Sequence, residues 1–276
     1  MARLDQELVT RGLARSRTHA AKLIGDGKVS SAGVVLSKAS LQVDADSKLD
    51  VASHPEDVYV SRAGHKLAGA LAAFPDVMVA GRRCLDAGAS TGGFTDVLLR
   101  QGASQVVAVD VGHGQLVQPL RNDPKVDVHE GLNVRYMTPE QIGGPAALTV
   151  ADLSFISLTL VLAPLAACTE PGGDLVLMVK PQFEVGKERL SRSGVVSSEH
   201  ERRRAVAQVA RAAVDAGLAL KGLAASPLPG QDGNVEYFLW MKRRMSAVLP
   251  KIEERDGDVA ALMETLWPND WKAETR

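Results

Sequence analysis

Apolar residues gather in short runs of four to seven, separated by longer stretches with helical spacing, and this alternation runs through most of the chain. Cys84-Leu85, with Val79 before it, and Val106-Val-Ala-Val109 are two such runs. The pattern predicts strands near 82–86, 105–110, 126–129, 147–152, 174–180, 218–225 and 235–241. Phe94 to Arg100 opens an apolar helical pattern, and Val259, Leu262, Met263 and Leu266 mark a last helix ended by Pro268. Strands alternating with helices predict an α/β domain around a parallel sheet. Pro227, Pro229, Gly230 and Gly233 form a turn-rich link that can reverse the chain, so the last two strands are expected to pair antiparallel.

Residues 1–57 follow a different rhythm. Leu4, Leu8 and Leu13 supply one apolar series that Gly12 ends, and Ser16 can cap a second helix reaching Gly25 with Ala20, Leu23 and Ile24 inward. Val29 to Val51 alternates weakly between turns at Ser31-Ala-Gly33 and Asp44-Ala-Asp46. A small α+β domain over 1–57, a connector over 58–62 and a larger domain over 63–276 follow from this division of 276 residues.

Composition changes the picture in two places. Hydrophobic residues make up 45% and aromatic residues 4%, which suits an Ala/Val/Leu-rich α/β protein, and 24% charged residues suit a water-exposed surface. The net charge of −1 hides an uneven distribution, because residues 1–40 carry seven Lys/Arg against three Asp/Glu and 41–57 carry one against five. Arg3, Arg11, Arg15, Arg17, Lys22 and Lys28 make the first unit locally basic. Cys84 and Cys168 lack metal-ligand spacing, so neither a metal nor a disulfide is expected. The charged start Met1-Ala-Arg-Leu-Asp and the absence of a spanning run predict a cytoplasmic protein.

The most informative segment is Asp86-Ala-Gly-Ala-Ser-Thr-Gly-Gly-Phe94, a glycine-rich turn between a strand and a helix. Gly88, Gly92 and Gly93 permit close backbone approach, but Ser90 stands at the second glycine position of the dinucleotide fingerprint, where a pyrophosphate would need room. A cofactor without phosphates fits better, which points to S-adenosylmethionine (SAM). Asp110 ends the next strand, where a carboxylate can accept the two ribose hydroxyls, and Asp86 is expected at the same rim. Thr91 and Phe94 complete the loop, with Asn133 a candidate for the adenine side.

The same glycines also spell G-x-S-x-G, and a hydrolase triad could be written as Ser90, Asp152 and His200. His200 lies between Ser198 and Glu201, which form a capping box that leaves the imidazole in an exposed first turn. That placement argues against the triad.

Four charged residues stand where apolar or neutral ones are expected: Lys66, Asp152, Lys180 and Glu236. Asp152 and Lys180 end the fourth and fifth strands, on the same rim as the cofactor loop. Glu236 interrupts Val235-Glu-Tyr-Phe-Leu-Trp-Met241, so it must neutralise or find a cation.

The residues above carry two resemblances. Arg3-Leu-Asp, Gly12, Ser16-Arg17, Ala20, Leu23-Ile24, Gly27-Lys-Val29 and Gly33 resemble the alpha-L RNA-binding domain of a small-subunit ribosomal protein and pseudouridine synthases. Over nearly its whole length the chain resembles the TlyA family of ribosomal RNA ribose 2′-O-methyltransferases, whose catalytic domain is similar to FtsJ-type enzymes. Ser61-Arg62 with Lys66, the 86–94 loop, Asp152-Leu-Ser-Phe-Ile156, Val179-Lys-Pro-Gln-Phe-Glu184 and Gly233-Asn-Val-Glu-Tyr-Phe-Leu239 carry it. The resemblance implies a class I SAM-dependent, Rossmann-like fold with a seven-stranded sheet. It also implies a Lys66, Asp152, Lys180, Glu236 tetrad acting on cytidine 2′-hydroxyls in RNA of the small ribosomal subunit, the large one, or both, without metal.

In that scheme Lys180 acts on the attacking oxygen, Asp152 orients Lys180 and the cofactor, and Lys66 with Glu236 holds the hydroxyl and the neighbouring lysine. Phe155 is a candidate for stacking on a base, and Arg62, Arg135, Lys187, Arg189 and Arg192 are candidates for extending the RNA surface. Two other classes compete with this one. Members of the family have been called haemolysins, which needs a membrane-acting segment that the pattern lacks. A ribosome-assembly protein that only binds RNA would have no use for the tetrad.

Overall fold

The computed structural model describes residues 2–14, 17–44, 46–52, 58–186, 188, 190–191, 193–246 and 251–268. Contacts divide the chain into Met1–Val58 and Tyr59–Arg276.

In the first unit, β1 (Ala2–Arg3) leads into α1 (Leu4–Thr10), and α2 (Arg17–Gly25) follows. Next come β2 (Val29–Ser31), β3 (Val34–Val35), β4 (Gln42–Val43) and β5 (Asp50–Val51). β1 pairs antiparallel with β4, and β2 sits between β3 and β5. Leu4, Leu8, Ala20, Leu23, Ile24 and Val29 close a core at the contact of the two helices, as their spacing predicts. Gly12 follows the end of α1 with φ +70°, a conformation that favours glycine. Ser16, expected as the cap of α2, lies outside the described residues.

The second unit begins with α3 (Ala63–Ala73), β6 (Arg83–Ala87), α4 (Gly93–Arg100), β7 (Gln105–Asp110), α5 (Gln118–Arg121) and β8 (Val126–Glu130). It continues with β9 (Ala146–Ala151), α6 (Leu162–Ala167), β10 (Thr169–Val179) and α7 (Glu199–Asp215), then β11 (Leu218–Ala225), β12 (Tyr237–Arg243) and α8 (Ile252–Glu264). Seven strands form one sheet in the order β11-β12-β10-β9-β6-β7-β8. The run from β10 to β8 is parallel, and β12 lies antiparallel between β10 and β11. Chain order reverses between β6 and β9, so the loops after these strands diverge and leave a crevice at their carboxyl ends.

Central strands are apolar on both faces because helices cover both. Leu85, Val107, Val109, Leu175 and Leu177 belong to one buried cluster, and Cys84, Val106, Val150, Val176 and Phe238 to another. Each large side chain buried this way contributes about 1.5–3 kcal/mol.

Three elements differ from their sequence reading. Val79 is buried but precedes β6, separated from it by a turn in which the Gly81 amide donates to Gly102. β10 starts at Thr169 rather than near 174, because Thr169 pairs with Ala146 across a register shift even though Glu170-Pro-Gly-Gly173 reads as a turn. β12 starts at Tyr237 rather than 235, since the Gly230 amide donates to Asn234 and closes a turn just before it.

Candidate active site

β6 delivers the chain into the glycine-rich turn, and the turn ends at α4. A Cβ at Gly88 would lie 2.9 Å from the backbone oxygen of Asp152, so only glycine lets the ends of β6 and β9 approach this closely. At Gly93 a Cβ would meet Ser61 Oγ at 2.3 Å and Gly64 N at 3.0 Å, and its absence brings the start of α3 against the start of α4. Lys66 is on that first turn of α3. The connector is tied to the same place, since the Val60 amide donates to Asp96 Oδ2 at 2.9 Å and Arg100 stacks over Tyr59.

Two cavities meet at this rim. The first, about 430 Å³, is lined by Gly88, Ser90, Asp110, Asn133 and Asp152 among others. Asp110 accepts the Ser90 amide at 2.8 Å on one oxygen and the Gly112 amide at 2.7 Å on the other. An ionised carboxylate has about four acceptor positions, so Asp110 keeps capacity for further donors. Asn133 Oδ1 accepts the Arg135 amide at 3.0 Å and caps a short turn over Val134–Tyr136. Ser90 holds φ +47°, an uncommon conformation for a residue with a side chain. Size and donor set suit a nucleoside-bearing ligand.

The second cavity, about 1060 Å³, is lined by Arg62, Lys66, Phe155, Lys180, Phe183 and Glu236, with other residues. Lys180 Nζ is 2.6 Å from Asp152 Oδ1 and donates to Ser154 Oγ at 3.0 Å. Lys66 Nζ donates to Glu236 Oε2 at 2.6 Å, and Gln182 donates to Glu236 Oε1 at 3.3 Å. Glu236 thus has a cation, which is what a carboxylate this buried requires. The structure brings the four residues into two ion pairs, with Asp152 and Ser154 bordering the smaller cavity and Lys66, Lys180 and Glu236 the larger. Phe155 is 92% exposed at φ +63°, with its ring 5.4 Å from that of Phe183. A bulky residue held in that conformation and in solvent carries a strain of order 1–3 kcal/mol, which marks it as a candidate for contact with a ligand.

Several expected residues take other places. Asp86 is fully buried, not on the rim, because β6 continues through Ala87 and turns the Asp86 side chain beneath the loop. Its Oδ2 accepts the Thr95 hydroxyl at 2.7 Å, while its Oδ1 has no hydrogen-bond partner. Burial is the main cause pushing this carboxyl up to about 7. Phe94 packs inward, 3% exposed and 6.2 Å from the Phe238 ring, and only borders a small cavity under the loop, as does Thr91. Gly92 caps α4 at φ +100°. Ser90 Oγ contacts Gln115 Oε1 at 3.2 Å and His200 is exposed in the first turn of α7, so nothing assembles the alternative hydrolase triad.

In the first unit, Arg3 and Arg17 both donate to Asp5, at 3.0 and 2.9 Å, which holds the Asp5 carboxyl down at about 2, chiefly through the Arg3 hydrogen bond. Arg11 pairs with Glu7 at 2.7 Å and donates to the backbone of Ser47 and Asp44. These arginines are partly committed within their own unit, although the Arg17 side chain still shows 58% of its surface. Lys22 and Arg62 are exposed, and Arg62 reaches Pro229 O at 3.4 Å. Arg135 stacks on the exposed Tyr136. Arg15, Lys187, Arg189 and Arg192 lie outside the described residues.

Sequence reasoning passed over Ser154, Gln182 and Glu184. Each stands inside a quoted motif, three to five residues past a strand end, where an unexplained polar residue was the available signal. Glu184 is 8% exposed and accepts Ser157 Oγ at 2.5 Å and the Leu158 amide at 2.8 Å. Burial raises its carboxyl above the ordinary range, opposed by these two hydrogen bonds. Among the described residues no cluster of His, Cys, Asp and Glu could hold a metal ion, and no helix is long and apolar enough to cross a membrane.

Comparison with known proteins agrees with the geometry. Residues 59–243 match the FtsJ-like methyltransferase family and residues 2–49 match the S4 domain. The chain is 55% identical over 248 residues to the 16S/23S rRNA (cytidine-2′-O)-methyltransferase TlyA of Mycobacterium tuberculosis, covering 90% of this chain and 92% of that protein. It is 37% identical over 238 residues to a Brachyspira hyodysenteriae protein named Hemolysin A, covering 86% and 98%. A solved Streptococcus thermophilus structure, provisionally named a hemolysin, superposes with a TM-score of 0.69 at 36% identity, covering 96% of both chains. With this coverage in sequence and structure alike, the chain belongs to the TlyA family, FtsJ-like methyltransferases that carry an N-terminal S4 domain.

Proposed function

We propose that the protein methylates the ribose 2′-hydroxyl of cytidine in ribosomal RNA, acting on ribosomal subunits in the cytoplasm. The observation that carries this reading is the meeting of the Lys180–Asp152 and Lys66–Glu236 pairs where the cofactor cavity opens into the larger cleft.

Asp110, Asn133, Gly88 and Ser90 would hold SAM, whose sulfonium supplies a methyl group already activated for transfer. A ribose hydroxyl is a weak nucleophile, and it gains strength as its proton is lost. Lys180, fixed by Asp152 and Ser154, stabilises the charge developing on that oxygen as an ammonium, or, having first passed a proton to Asp152, receives the hydroxyl proton as an amine. Lys66 is held by Glu236, itself fixed by Gln182, so its ammonium is pre-oriented to donate to the same hydroxyl. Low exposure of both lysines keeps competing water away and strengthens each interaction. No metal enters this scheme. Phe155 and Phe183 offer an aromatic surface at the cleft for the base of the bound nucleotide.

The S4 unit supplies affinity through phosphate contacts, with Arg17 and Lys22 among its exposed cations. Mapping 2′-O-methylation in ribosomal RNA incubated with the protein and labelled SAM tests the reading. Label on cytidine ribose supports it, and label on a base or on no RNA overturns it.

A further inference from the structure

The loop after β9 carries Asp152, Ser154 and Phe155, and the turn after β10 carries Lys180, Gln182 and Phe183. Their working ends touch through Lys180 with Asp152 and Ser154, and through the two phenylalanine rings. Their far ends are joined by a different residue. Glu184 closes the turn after β10, its amide donating to Pro181 O at 3.0 Å, and its carboxylate crosses to the other loop. One oxygen accepts Ser157 Oγ and the other accepts the Leu158 amide. Ser157 also accepts the Thr159 amide at 3.2 Å and shares a 2.7 Å hydroxyl contact with Thr159, which fixes the end of its own loop.

We propose that Glu184 is a positioning residue, a carboxylate clamp that sets the separation of the two loops and thereby holds Lys180 against Asp152 and Ser154. This rests on the methyl-transfer reading of the site. Glu184 is not among the residues lining either cavity, so it acts through the loops and not on the reacting atoms. Two bonds from one carboxylate define a distance and an orientation together, whereas the lysine contacts alone leave a long flexible chain to set the spacing. Displacement of a reacting group by an ångström costs about 100-fold in rate, so a lost clamp is expected to show in turnover before it shows in the fold.

The test uses the full chain with ribosomal subunits, measuring single-turnover methylation at saturating SAM and substrate for Glu184→Ala, Glu184→Gln and Ser157→Ala. Amide hydrogen exchange of residues 153–160 is followed in the protein alone. Glu184→Ala is expected to lower the saturated rate about 10- to 100-fold and to speed exchange at Leu158, while substrate affinity changes little. Glu184→Gln keeps an acceptor for the Leu158 amide and a polar group for Ser157, and should restore both readouts, which separates geometry from charge. Ser157→Ala removes one bond and should fall between. The clamp is overturned if folded Glu184→Ala exchanges as wild type does, or exchanges faster yet turns over within about twofold of it. Should Glu184→Ala fail to fold, Ser157→Ala decides by the same two criteria. A wild-type protein that methylated no ribose would sink the proposed activity, and the exchange measurement would still decide whether the two loops are clamped.

Discussion

Lys66 Nζ and Glu236 Oε2 lie 2.6 Å apart, although 170 residues separate them in the chain. The pair joins α3 to the start of β12, and both groups are buried. Removing one member leaves the other charge without a partner, at a cost of about 3–5 kcal/mol. Glu236→Ala should therefore lower the unfolding midpoint as well as activity. Replacing both by apolar residues of similar size, Lys66→Met with Glu236→Leu, should recover most of the stability and none of the methylation. Thermal unfolding beside a methylation assay distinguishes these results, and recovery of activity in the double variant would remove the pair from catalysis.

Lys180→Ala is expected to behave differently. Its partner Asp152 is more exposed than Glu236 and borders the cofactor cavity, and although Oδ1 is buried beside Lys180, removal of the lysine side chain opens that oxygen toward the cavities. Loss of a general base commonly costs about 100- to 10,000-fold. Single-turnover methylation should fall by that much while SAM binding and the unfolding midpoint change little. Near-normal rates in a folded Lys180→Ala protein would require another group to activate the hydroxyl.

The strand and helix periodicities made the seven-stranded sheet legible in the sequence, because central parallel strands must be apolar and their polar exceptions cluster at strand ends. The antiparallel placement of β12 was legible from the Pro/Gly link before it. What escaped notice was geometry within motifs. Asp86 and Asp110 look equivalent as acidic residues ending apolar runs, yet β6 runs one residue past Asp86 and turns it beneath the loop, whereas β7 ends on Asp110 and leaves it on the cavity wall. Glu184 looked like the tail of a motif because its partners, Ser157 and Leu158, are 26 or more residues away and no local pattern announces them. Arg17 looked like a free cation for a similar reason, since its partner Asp5 lies on the other helix, while Arg3 stands two residues from the same Asp5.

Asp110→Ala should weaken SAM binding. Loss of a hydrogen bond to a charged group typically costs about 1.5–3 kcal/mol, and here the Ser90 and Gly112 amides lose their acceptor as well. The decrease should be at least about tenfold in a calorimetric titration. Unchanged affinity would move the ribose to another group.

Deletion of the S4 unit should abolish methylation of ribosomal substrate and leave SAM affinity intact, because the residues lining the cofactor cavity all lie beyond residue 58. Binding of the full chain to RNA should weaken steeply with salt, as phosphate contacts release counterions. Arg17→Ala should reduce the salt slope by about one unit, although loss of its bond to Asp5 adds a modest destabilisation. Full methylation of ribosomes by the truncated chain would contradict the docking role.

The buried carboxyl of Asp86 makes a prediction about pH. Its value in the folded protein is pushed up to about 7 from the ordinary 3.8, first by burial and further by the nearby Asp152 and Asp110 charges, against the Thr95 hydrogen bonds. A carboxyl raised on folding binds its proton more tightly in the native state than in the unfolded one. Its contribution is therefore fully present below about pH 4, declines as pH rises, and is lost by about pH 7. Asp86→Asn keeps an acceptor for Thr95 and never ionises. The variant should match or fall slightly below wild type only below about pH 4, where the carboxyl is protonated in folded and unfolded chain alike, should exceed it increasingly from pH 5 as the unfolded chain ionises, and should exceed it most at pH 8, where the wild-type charge is buried unpaired. A shift from 3.8 to about 7 corresponds to roughly 4 kcal/mol at most. Denaturant unfolding from pH 5 to 8 measures the difference, and a stability gap between the two proteins that stays constant across that range would show that Asp86 does not titrate there.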